Sequence, residues 1–290
     1  MDPVLLFGIG ATKAGTSWLH RYLSDHPDCH FRAIKELHYF DAFDFGELDR
    51  QKAHIEGMKA DLVGRTDIDN DLRLANVLRQ LGHIEHWLTV LAKGREDSKA
   101  YLGYLTGGRE EEKVVGDITP AYSLLSEERL RHMAGLMADT RFIYLMRDPV
   151  GRLWSHVRMM AKRRSDGGET VADRAAHIFG RWLKGEEHQL DIRSDYAAAL
   201  TKLNRAVAEE KRLVMFYEDL FTDAGVNRVC GFLGLDPVPG RFDLRVLEGE
   251  KLSLPPEDRA RAREKLSDQY DKVAEVMGAL PETWRQAEKV

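Results

Sequence analysis

Short apolar runs that end at glycine, proline or a charged pair recur along this chain and indicate buried strands. Four runs stand out, at residues 4–9, 114–118, 141–146 and 212–217. Each is shorter than a typical buried helix, and the third is apolar enough to be covered on both faces. We therefore predict four strands of one sheet.

Between these runs, apolar residues recur at intervals of three and four, as on one face of a helix. Such patterns cover residues 16–23, 126–138, 149–164, 196–208 and 219–233. Strands that alternate with helices predict right-handed crossovers and a parallel sheet. We predict an α/β fold of P-loop type, with a central parallel sheet flanked by helices on both faces.

Two regions depart from this alternation. Residues 44–112 are polar and mostly helical in pattern, and 255–290 form a charged helical tail. The first region has an apolar stripe formed by Leu72, Leu74, Val77, Leu78 and Leu81. We interpret both as covers over the carboxyl edge of the sheet, within one domain spanning 1–290, and expect them to supply contacts to an acceptor.

Composition narrows the function classes. The formal net charge of −5 argues against a nucleic-acid or anionic-membrane binder, which would carry a basic excess. No apolar stretch is long enough to span a bilayer, and the N-terminus lacks a secretory pattern, so we expect a cytoplasmic protein. The two cysteines, Cys29 and Cys230, are expected to be reduced and buried. The pattern specifies no oligomeric state.

A glycine-bounded loop joins the first predicted strand to the first predicted helix. It runs from Gly10 to Gly15 with Lys13 inside, and Thr16 and Ser17 follow. Backbone N–H groups of such a loop, together with the helix N-terminus, form an anion site. The glycine spacing fits the nucleotide-triphosphate loop, but Thr16 stands where that loop has its lysine. A lysine inside the turn can instead neutralise a phosphosulfate. An ordinary glycine turn is the alternative for the loop alone.

A second group of polar residues follows the third predicted strand. Arg147 stands at the carboxyl end of the strand, where open α/β sheets bind ligands, and Ser155 lies two turns along the next helix. A guanidinium and a hydroxyl together can clamp a phosphate. The alternative is a plain helix start, with Asp148 as its cap and Arg152 in a surface salt bridge. The shared sheet edge of both groups favours the anion site.

Together these motifs resemble those of the superfamily of sulfotransferases that use 3′-phosphoadenosine 5′-phosphosulfate (PAPS). The segment TKAGTSWL at 12–19 is similar to the family's 5′-phosphosulfate loop, and RDPVGRLWS at 147–155 to its 3′-phosphate motif, R-[DN]-P-x-x-R-x-x-S. The resemblance implies that the 5′-phosphosulfate is held by Lys13, Ala14, Gly15, Thr16 and Ser17. It implies that Arg147 and Ser155 hold the 3′-phosphate. Trp18 matches an adenine-stacking position, although its helical spacing fits a core aromatic equally well.

Three further segments are similar to the branch that contains the heparan-sulfate O-sulfotransferases. They are KELHYFD at 35–41, GDITPAY at 116–122 and FYEDL at 216–220. The chain departs from that branch where Ile118 replaces a lysine, Asp117 a glutamate and Val157 a tyrosine. The missing lysine weakens the case for a heparan-like acceptor. The acceptor is therefore expected to be a glycan or a small-molecule alcohol or phenol.

The resemblance also implies a mechanism. Sulfuryl transfer needs in-line oxygens and stabilised charge, which cations and backbone N–H groups can supply without a metal. Lys13 is expected to stabilise the leaving phosphate oxygen, Glu36 to act as general base, and His38 to be a reserve base. From the residues alone, a solvated Glu36 paired with Lys35 and a half-buried His38 are the alternatives.

Two other functions fit parts of the pattern. A P-loop kinase or nucleotide hydrolase would need a lysine directly after Gly15 and a metal-binding acid after a second strand, and Asp148 is better explained as a cap. A non-catalytic module that binds PAPS or its product would keep both motifs without a base, and Glu36 argues against it. His83 and His86 are interpreted as a solvated helix face rather than a metal site.

Overall fold

The computed structural model describes residues 2–64, 70–165, 168–243 and 252–285. Within these ranges a five-stranded sheet has the spatial order β2-β3-β1-β4-β5, and all neighbouring strands are parallel. The strands are β1 (Val4–Gly10), β2 (Cys29–His30), β3 (Val114–Ile118), β4 (Thr140–Met146) and β5 (Arg212–Phe216). All four predicted strands are present, and the two-residue β2 is too short for an apolar run to reveal it.

Helices fill most of the remaining described chain. They are α1 (Thr16–Ser24), α2 (Tyr39–Asp44), α3 (Leu48–Val63), α4 (Asp71–Leu91), α5 (Ser98–Thr106), α6 (Glu127–Ala134), α7 (Pro149–Arg164), α8 (Val171–Leu183), α9 (His188–Ser194), α10 (Tyr196–Ala206), α11 (Tyr217–Leu220), α12 (Asp223–Leu233), α13 (Pro256–Lys265), α14 (Ser267–Met277) and α15 (Glu282–Arg285), with short 3₁₀ turns at Pro120–Leu124 and Glu209–Lys211. The helix predicted over 219–233 is divided, because the Thr222 hydroxyl caps a new helix by accepting the Gly225 N–H.

Burial along the strands shows that the sheet is covered on both faces. All of β3 and all but the first residue of β1 are buried. Successive side chains of a strand point to opposite faces, so continuous burial requires helices on both sides. The predicted α/β fold with a parallel sheet between helices is confirmed.

The order of the strands creates a crevice at the carboxyl end of β1. Strand β3 lies on one side of β1 and β4 on the other, so the crossovers leave β1 in opposite directions. Such a switch point is where open parallel sheets bind ligands, because the loops that follow the two strands separate there. The loop after β1 and the residues after β4 therefore meet at one edge.

The region 44–112, here called the insert, is mostly helical in its described part, but its predicted apolar stripe is only partly right. Leu72 is 84% exposed and Leu78 is 55% exposed, so neither packs on the core. Helix α4 buries Val77 of the predicted stripe together with Ile84, Trp87, Val90 and Leu91. The bulk of Trp87 explains the difference, because its ring packs against Tyr101 and Tyr104 of α5 and anchors the C-terminal half of α4.

One hydrophobic cluster joins the sheet, the insert and the tail. It includes Phe7 of β1, Trp87 of the insert, and Tyr270 and Trp284 of the tail. This shared core favours the single-domain interpretation, which stays a prediction. The predicted tail divides into three helices, and its residues 286–290 lie outside the described part. In the ranges that the structure describes, no helix has the length and apolarity needed to cross a membrane.

Candidate active site

A cleft of about 1770 Å³ opens at the carboxyl edge of the sheet. Its walls come from the loop after β1, the segment before α2, the 3₁₀ turn after β3, and helices α7, α9 and α10. Pockets for one drug-sized ligand span roughly 300–1,000 Å³. The cleft is therefore large enough to hold a nucleotide and a second molecule side by side.

The predicted site residues converge on this cleft, with one exception. Those that line it are Lys13, Gly15, Thr16, Ser17, Trp18, Glu36, His38, Arg147 and Ser155. Ala14 does not: its side chain is fully buried, and its backbone N–H donates to the Ala11 carbonyl at 3.1 Å. The N–H that Ala14 could offer to a phosphate thus already closes the turn, and the cofactor contact expected of Ala14 stays a prediction.

The loop after β1 has the form of an anion site. Gly15 caps helix α1 with φ of 91° and provides no side chain to its first turn. The backbone N–H groups of Thr16 and Ser17 are therefore left for a ligand. A Cβ atom on residue 15 would lie 3.0 Å from the Tyr217 ring, so both the backbone angle and the space require glycine.

Lys13 interacts electrostatically with Arg147, which follows β4, and with Arg158 of α7. Burial lowers the pKa of the Lys13 ammonium, and the charges of Arg158 and Arg147 lower it further. Burial and the charge of Arg147 also lower the pKa of Arg158. The cleft thus gathers positive charge from both motifs, and an anion bound between them would relieve the repulsion.

The second motif is held rigidly at the end of β4. The Asp148 carboxylate caps α7 by accepting the Gly151 N–H at 2.7 Å, which confirms its predicted role as a cap. The Tyr196 hydroxyl donates to the Arg147 carbonyl at 2.8 Å and accepts the Arg147 N–H at 3.2 Å. The Arg147 guanidinium lies 4.8 Å from the centre of the Tyr217 ring. Both the backbone and the side chain of Arg147 are therefore fixed.

Helix α7 differs from the sequence-based interpretation at two positions. Arg152 is fully buried and donates to the Ser194 hydroxyl, so the surface salt bridge considered for it is wrong. Arg158, which was not singled out, lines the cleft with Ser155. The spacing of three residues between Ser155 and Arg158 places both on one helix face, and this signal could have identified Arg158.

The predicted base lies in a chain of charged groups on the segment before α2. Glu36 pairs with Lys35, and its Oε2 lies 3.7 Å from His38 Nε2. His38 Nδ1 lies 2.6 Å from Asp41 Oδ2, so the imidazole bridges two carboxylates. Asp41 also lines the cleft and was missed as a site residue. It stands three residues after His38, a spacing that brings the two together at the start of a helix.

Proton affinities in this chain are strongly shifted. Burial alone would raise the pKa of Glu36, but His38 and Lys35 outweigh it and lower that pKa to about 2. Burial alone would lower the pKa of His38, but Asp41 and Glu36 raise it to about 9. At neutral pH Glu36 is therefore a carboxylate and His38 an imidazolium. An imidazolium cannot accept a proton, which favours Glu36 over His38 as the base.

The backbone is strained at three of the predicted site residues. Among the described residues, the non-glycine residues with positive φ are Lys13 at 70°, Glu36 at 64° and His38 at 50°. Such conformations cost on the order of 1–3 kcal/mol each and tend to cluster at functional sites. The three are also the residues named above as candidate catalytic residues, with His38 only as a reserve base.

A buried hydrogen-bond network supports the segment that carries Glu36 and His38. The Tyr122 hydroxyl accepts the Tyr39 N–H at 3.1 Å and donates to Asp117 at 2.7 Å. The Gln51 amide donates to the Leu37 carbonyl at 3.1 Å. The insert and the end of β3 thus hold this strained segment from two sides.

The departures at positions 117 and 118 have a structural explanation. Burial raises the pKa of Asp117, which accepts hydrogen bonds from the hydroxyls of Tyr101, Thr119 and Tyr122. Ile118 is buried and packs so closely on β1 that a Cβ atom at Gly8 would lie 2.8 Å from its side chain. Both residues therefore belong to the core of the sheet rather than to the cleft.

Trp18 packs as a core aromatic with one edge at the cleft. It is 5% exposed, its ring is nearly parallel to those of Tyr22 and Phe242, and its Nε1 donates to the Arg241 carbonyl at 3.2 Å. Phe221 and Phe242 line the cleft beside it. Adenine stacking on Trp18 stays a prediction, and a purine would have to share this aromatic group with Phe242.

Residues from other elements also line the cleft. They include Phe45 and Arg50 of the insert and Arg193 and Lys202 of α9 and α10. These residues give the cleft a mixed cationic and apolar wall. None of the described residues 252–285 lines the cleft, and the acceptor contacts expected of the tail stay a prediction.

Comparisons with known proteins bear on the family and the fold. Residues 3–239 match the model of the "Sulfotransferase family". The crystal structure of a sulfotransferase from Alicyclobacillus acidocaldarius superposes with a TM-score of 0.64 at 20% identity, covering 98% of this chain and 100% of that chain. The sulfotransferase domain of the Synechococcus PCC 7002 olefin synthase has a TM-score of 0.48 at 17% identity, covering 92% and 94%. A search of functionally curated proteins finds no match.

The two kinds of comparison carry different weight. The structural likeness at 20% identity shows a shared fold. The family model extends from the start of β1 to beyond α12. It therefore includes the loop after β1, the segment of Glu36 and the segment from Arg147 to Ser155. On this match, which spans well over half of its length, the chain belongs to the sulfotransferase family.

Proposed function

We propose that this protein transfers a sulfuryl group from PAPS to an acceptor hydroxyl. The observation that carries the proposal is the convergence of Lys13 and Arg147 on one cleft, with their charges coupled. A ligand with an anionic group at each end of an adenosine would satisfy both. The resemblance of the loop and of the Arg147 motif to PAPS-binding segments supports this choice.

The residues present fit such a donor. The first-turn N–H groups of α1 and the Lys13 ammonium would hold the 5′-phosphosulfate, where Gly15 leaves room for a close approach. Arg147 and Ser155 would hold the 3′-phosphate, and Arg158 adds a cation that the motif alone does not reveal. The donor supplies a sulfuryl group joined to phosphate through a bridging oxygen.

The chain's own groups handle the proton and the charge during transfer. The acceptor oxygen forms a bond to sulfur while the bond from sulfur to the bridging oxygen breaks. The hydroxyl proton moves to the Glu36 carboxylate, and the electron pair left on the phosphate oxygen is stabilised by Lys13. Because its pKa near 2 makes Glu36 a weak base, we expect proton transfer to be late, once bonding to sulfur has acidified the hydroxyl.

The acceptor would lie beside Glu36 in the same cleft. The charge of Glu36 acts on Arg193, and Phe45 and Lys202 also line the cleft, so these residues are candidates to contact the rest of the acceptor. This arrangement suits a glycan or a small alcohol or phenol. A place in the heparan-type branch rests on the motif resemblance, and the core position of Ile118 argues for a different acceptor.

Calorimetric titration tests the donor. We expect 3′-phosphoadenosine 5′-phosphate (PAP), the product left by PAPS, to bind more tightly than ATP–Mg²⁺. A preference for ATP–Mg²⁺ would overturn the proposal in favour of a P-loop kinase or hydrolase. A transfer assay with labelled PAPS and panels of sugars, alcohols and phenols then distinguishes an enzyme from a module that only binds PAPS.

A further inference from the structure

Two carboxylates flank the arginine of the 3′-phosphate motif. Asp148 follows Arg147 in the chain, and Glu218 lines the same cleft. Arg147 acts on Glu218 electrostatically, since its charge opposes the rise in the pKa of Glu218 that burial causes. Either carboxylate could pair with Arg147 and compete with a phosphate. Within the described residues, neither forms an ion pair with it.

The tail holds the first carboxylate away from the arginine. The buried Tyr270 of α14 donates its hydroxyl proton to Asp148 Oδ1 at 2.5 Å. The other oxygen of Asp148 accepts the Gly151 N–H at the start of α7. Both oxygens of Asp148 are thus engaged on the side of α7 and the tail, and Arg147 is left to lie over Tyr217.

The tail also holds the second carboxylate. The fully buried Trp284 of α15 donates its Nε1–H to Glu218 Oε1 at 2.8 Å. Its ring meets that of Phe216, the last residue of β5, with centroids 5.0 Å apart. Oε1 of Glu218 is therefore held between the end of the sheet and the tail, while its Oε2 is buried without a hydrogen-bond partner in the described part of the chain.

A single residue joins the two contacts. The Arg263 guanidinium lies 4.2 Å from the centre of the Tyr270 ring and donates to the Trp284 carbonyl at 2.8 Å. Helices α13, α14 and α15 thus form one unit next to Asp148 and Glu218. Among the residues described, none from this unit lines the cleft.

We propose that Tyr270 and Trp284 are positioning residues that keep Asp148 and Glu218 from neutralising Arg147, so that Arg147 is free for the 3′-phosphate. The inference rests on the proposed donor. It gives the tail a function in donor recognition, whereas its sequence pattern suggested a cover with acceptor contacts.

The test compares a ligand with a 3′-phosphate to one without it. We expect Tyr270→Phe and Trp284→Phe each to raise the Kd of PAP about ten-fold, the usual effect of losing one hydrogen bond to a charged group, and to leave the Kd of 5′-AMP unchanged. In steady-state assays the KM for PAPS rises while kcat at saturation is kept. Tyr104→Phe is the control, because Tyr104 is also a buried tyrosine outside the cleft but packs on Trp87 of the insert rather than against Asp148 or Glu218.

Equal loss of PAP and 5′-AMP binding, or no loss of PAP binding in a folded variant, would overturn the inference.

A rescue variant separates an effect on the position of Asp148 from an effect on stability. Asparagine still caps a helix but carries no charge to pair with Arg147, so Asp148→Asn added to Tyr270→Phe should restore the preference for PAP. Failure of that rescue would also count against it. Failure of the wild-type protein to bind PAP would instead refute the proposed donor.

Discussion

At the residue scale, the proposed chemistry depends first on Glu36. Glutamine has nearly the same shape but cannot take the proton of the acceptor hydroxyl. We expect Glu36→Gln to lower kcat about 10²–10⁴-fold, the usual worth of a general base, and to leave PAP affinity nearly unchanged. Turnover with labelled PAPS measures kcat, and calorimetry measures the affinity for PAP. A folded variant with undiminished kcat would assign the base elsewhere.

The chain of Glu36, His38 and Asp41 predicts a pH dependence. His38 carries a proton below its pKa of about 9, and that proton holds the Glu36 carboxylate in place. We expect kcat/KM to fall as pH rises through about 9. Asp41→Asn removes the largest contribution that raises the His38 pKa, so the alkaline limb should move to lower pH. An alkaline limb that stays in place in Asp41→Asn would exclude His38 as its source.

Single residues also show the limits of sequence reasoning here. Lys13 and Arg147 stand in spaced motifs directly after apolar runs, so their convergence could be predicted. For Ala14, only the closed turn reveals that its N–H already donates to a carbonyl, which no local pattern shows. Arg152 was misjudged because no local pattern distinguishes a buried guanidinium from an exposed one on an amphipathic helix.

At the element scale, continuity of the apolar pattern decides which strands and helices can be predicted from the sequence. Strands β1, β3 and β4 are buried along nearly their whole length and leave unbroken apolar runs. Helix α8 was missed although it carries a helical stripe of Ala175, Ile178, Phe179 and Trp182. In α4 the stripe was placed too early, because packing of Trp87 against α5 is a tertiary effect.

Helix α4 also makes a contact that should respond to acid. His83 is not solvated as expected: its Nδ1 accepts the Ala33 N–H at 2.9 Å. Burial and the charge of Arg32 lower the pKa of His83 to about 4. In the unfolded chain histidine titrates near 6.5, so unfolded molecules bind a proton that folded ones refuse between these values.

We therefore expect the stabilising effect of neutral His83 to be lost as pH falls from about 6.5 to 4. The free energy of unfolding by urea should decline less over this window in His83→Gln than in the wild-type protein. His54→Gln, at an exposed position on α3, is the control and should follow the wild type. Identical declines in all three proteins would contradict the contribution of His83.

At the scale of the whole molecule, strand order explains how distant segments form one site. Lys13 follows β1 and Arg147 follows β4, and these strands are parallel neighbours. Their carboxyl ends therefore meet, although the two residues stand far apart in sequence. This much follows from a parallel sheet. The position of the tail behind Asp148 and Glu218 does not, because it depends on contacts between surfaces that no local pattern encodes.

One titration tests most directly whether a single ligand spans the Lys13 loop and Arg147. PAP and 5′-AMP are titrated into the wild-type protein and into Arg147→Met. We expect the wild type to bind PAP at least about ten-fold more tightly than 5′-AMP, and Arg147→Met to lose most of this preference, with its affinity for 5′-AMP unchanged. An Arg147→Met protein that keeps the full preference for PAP would contradict the site described.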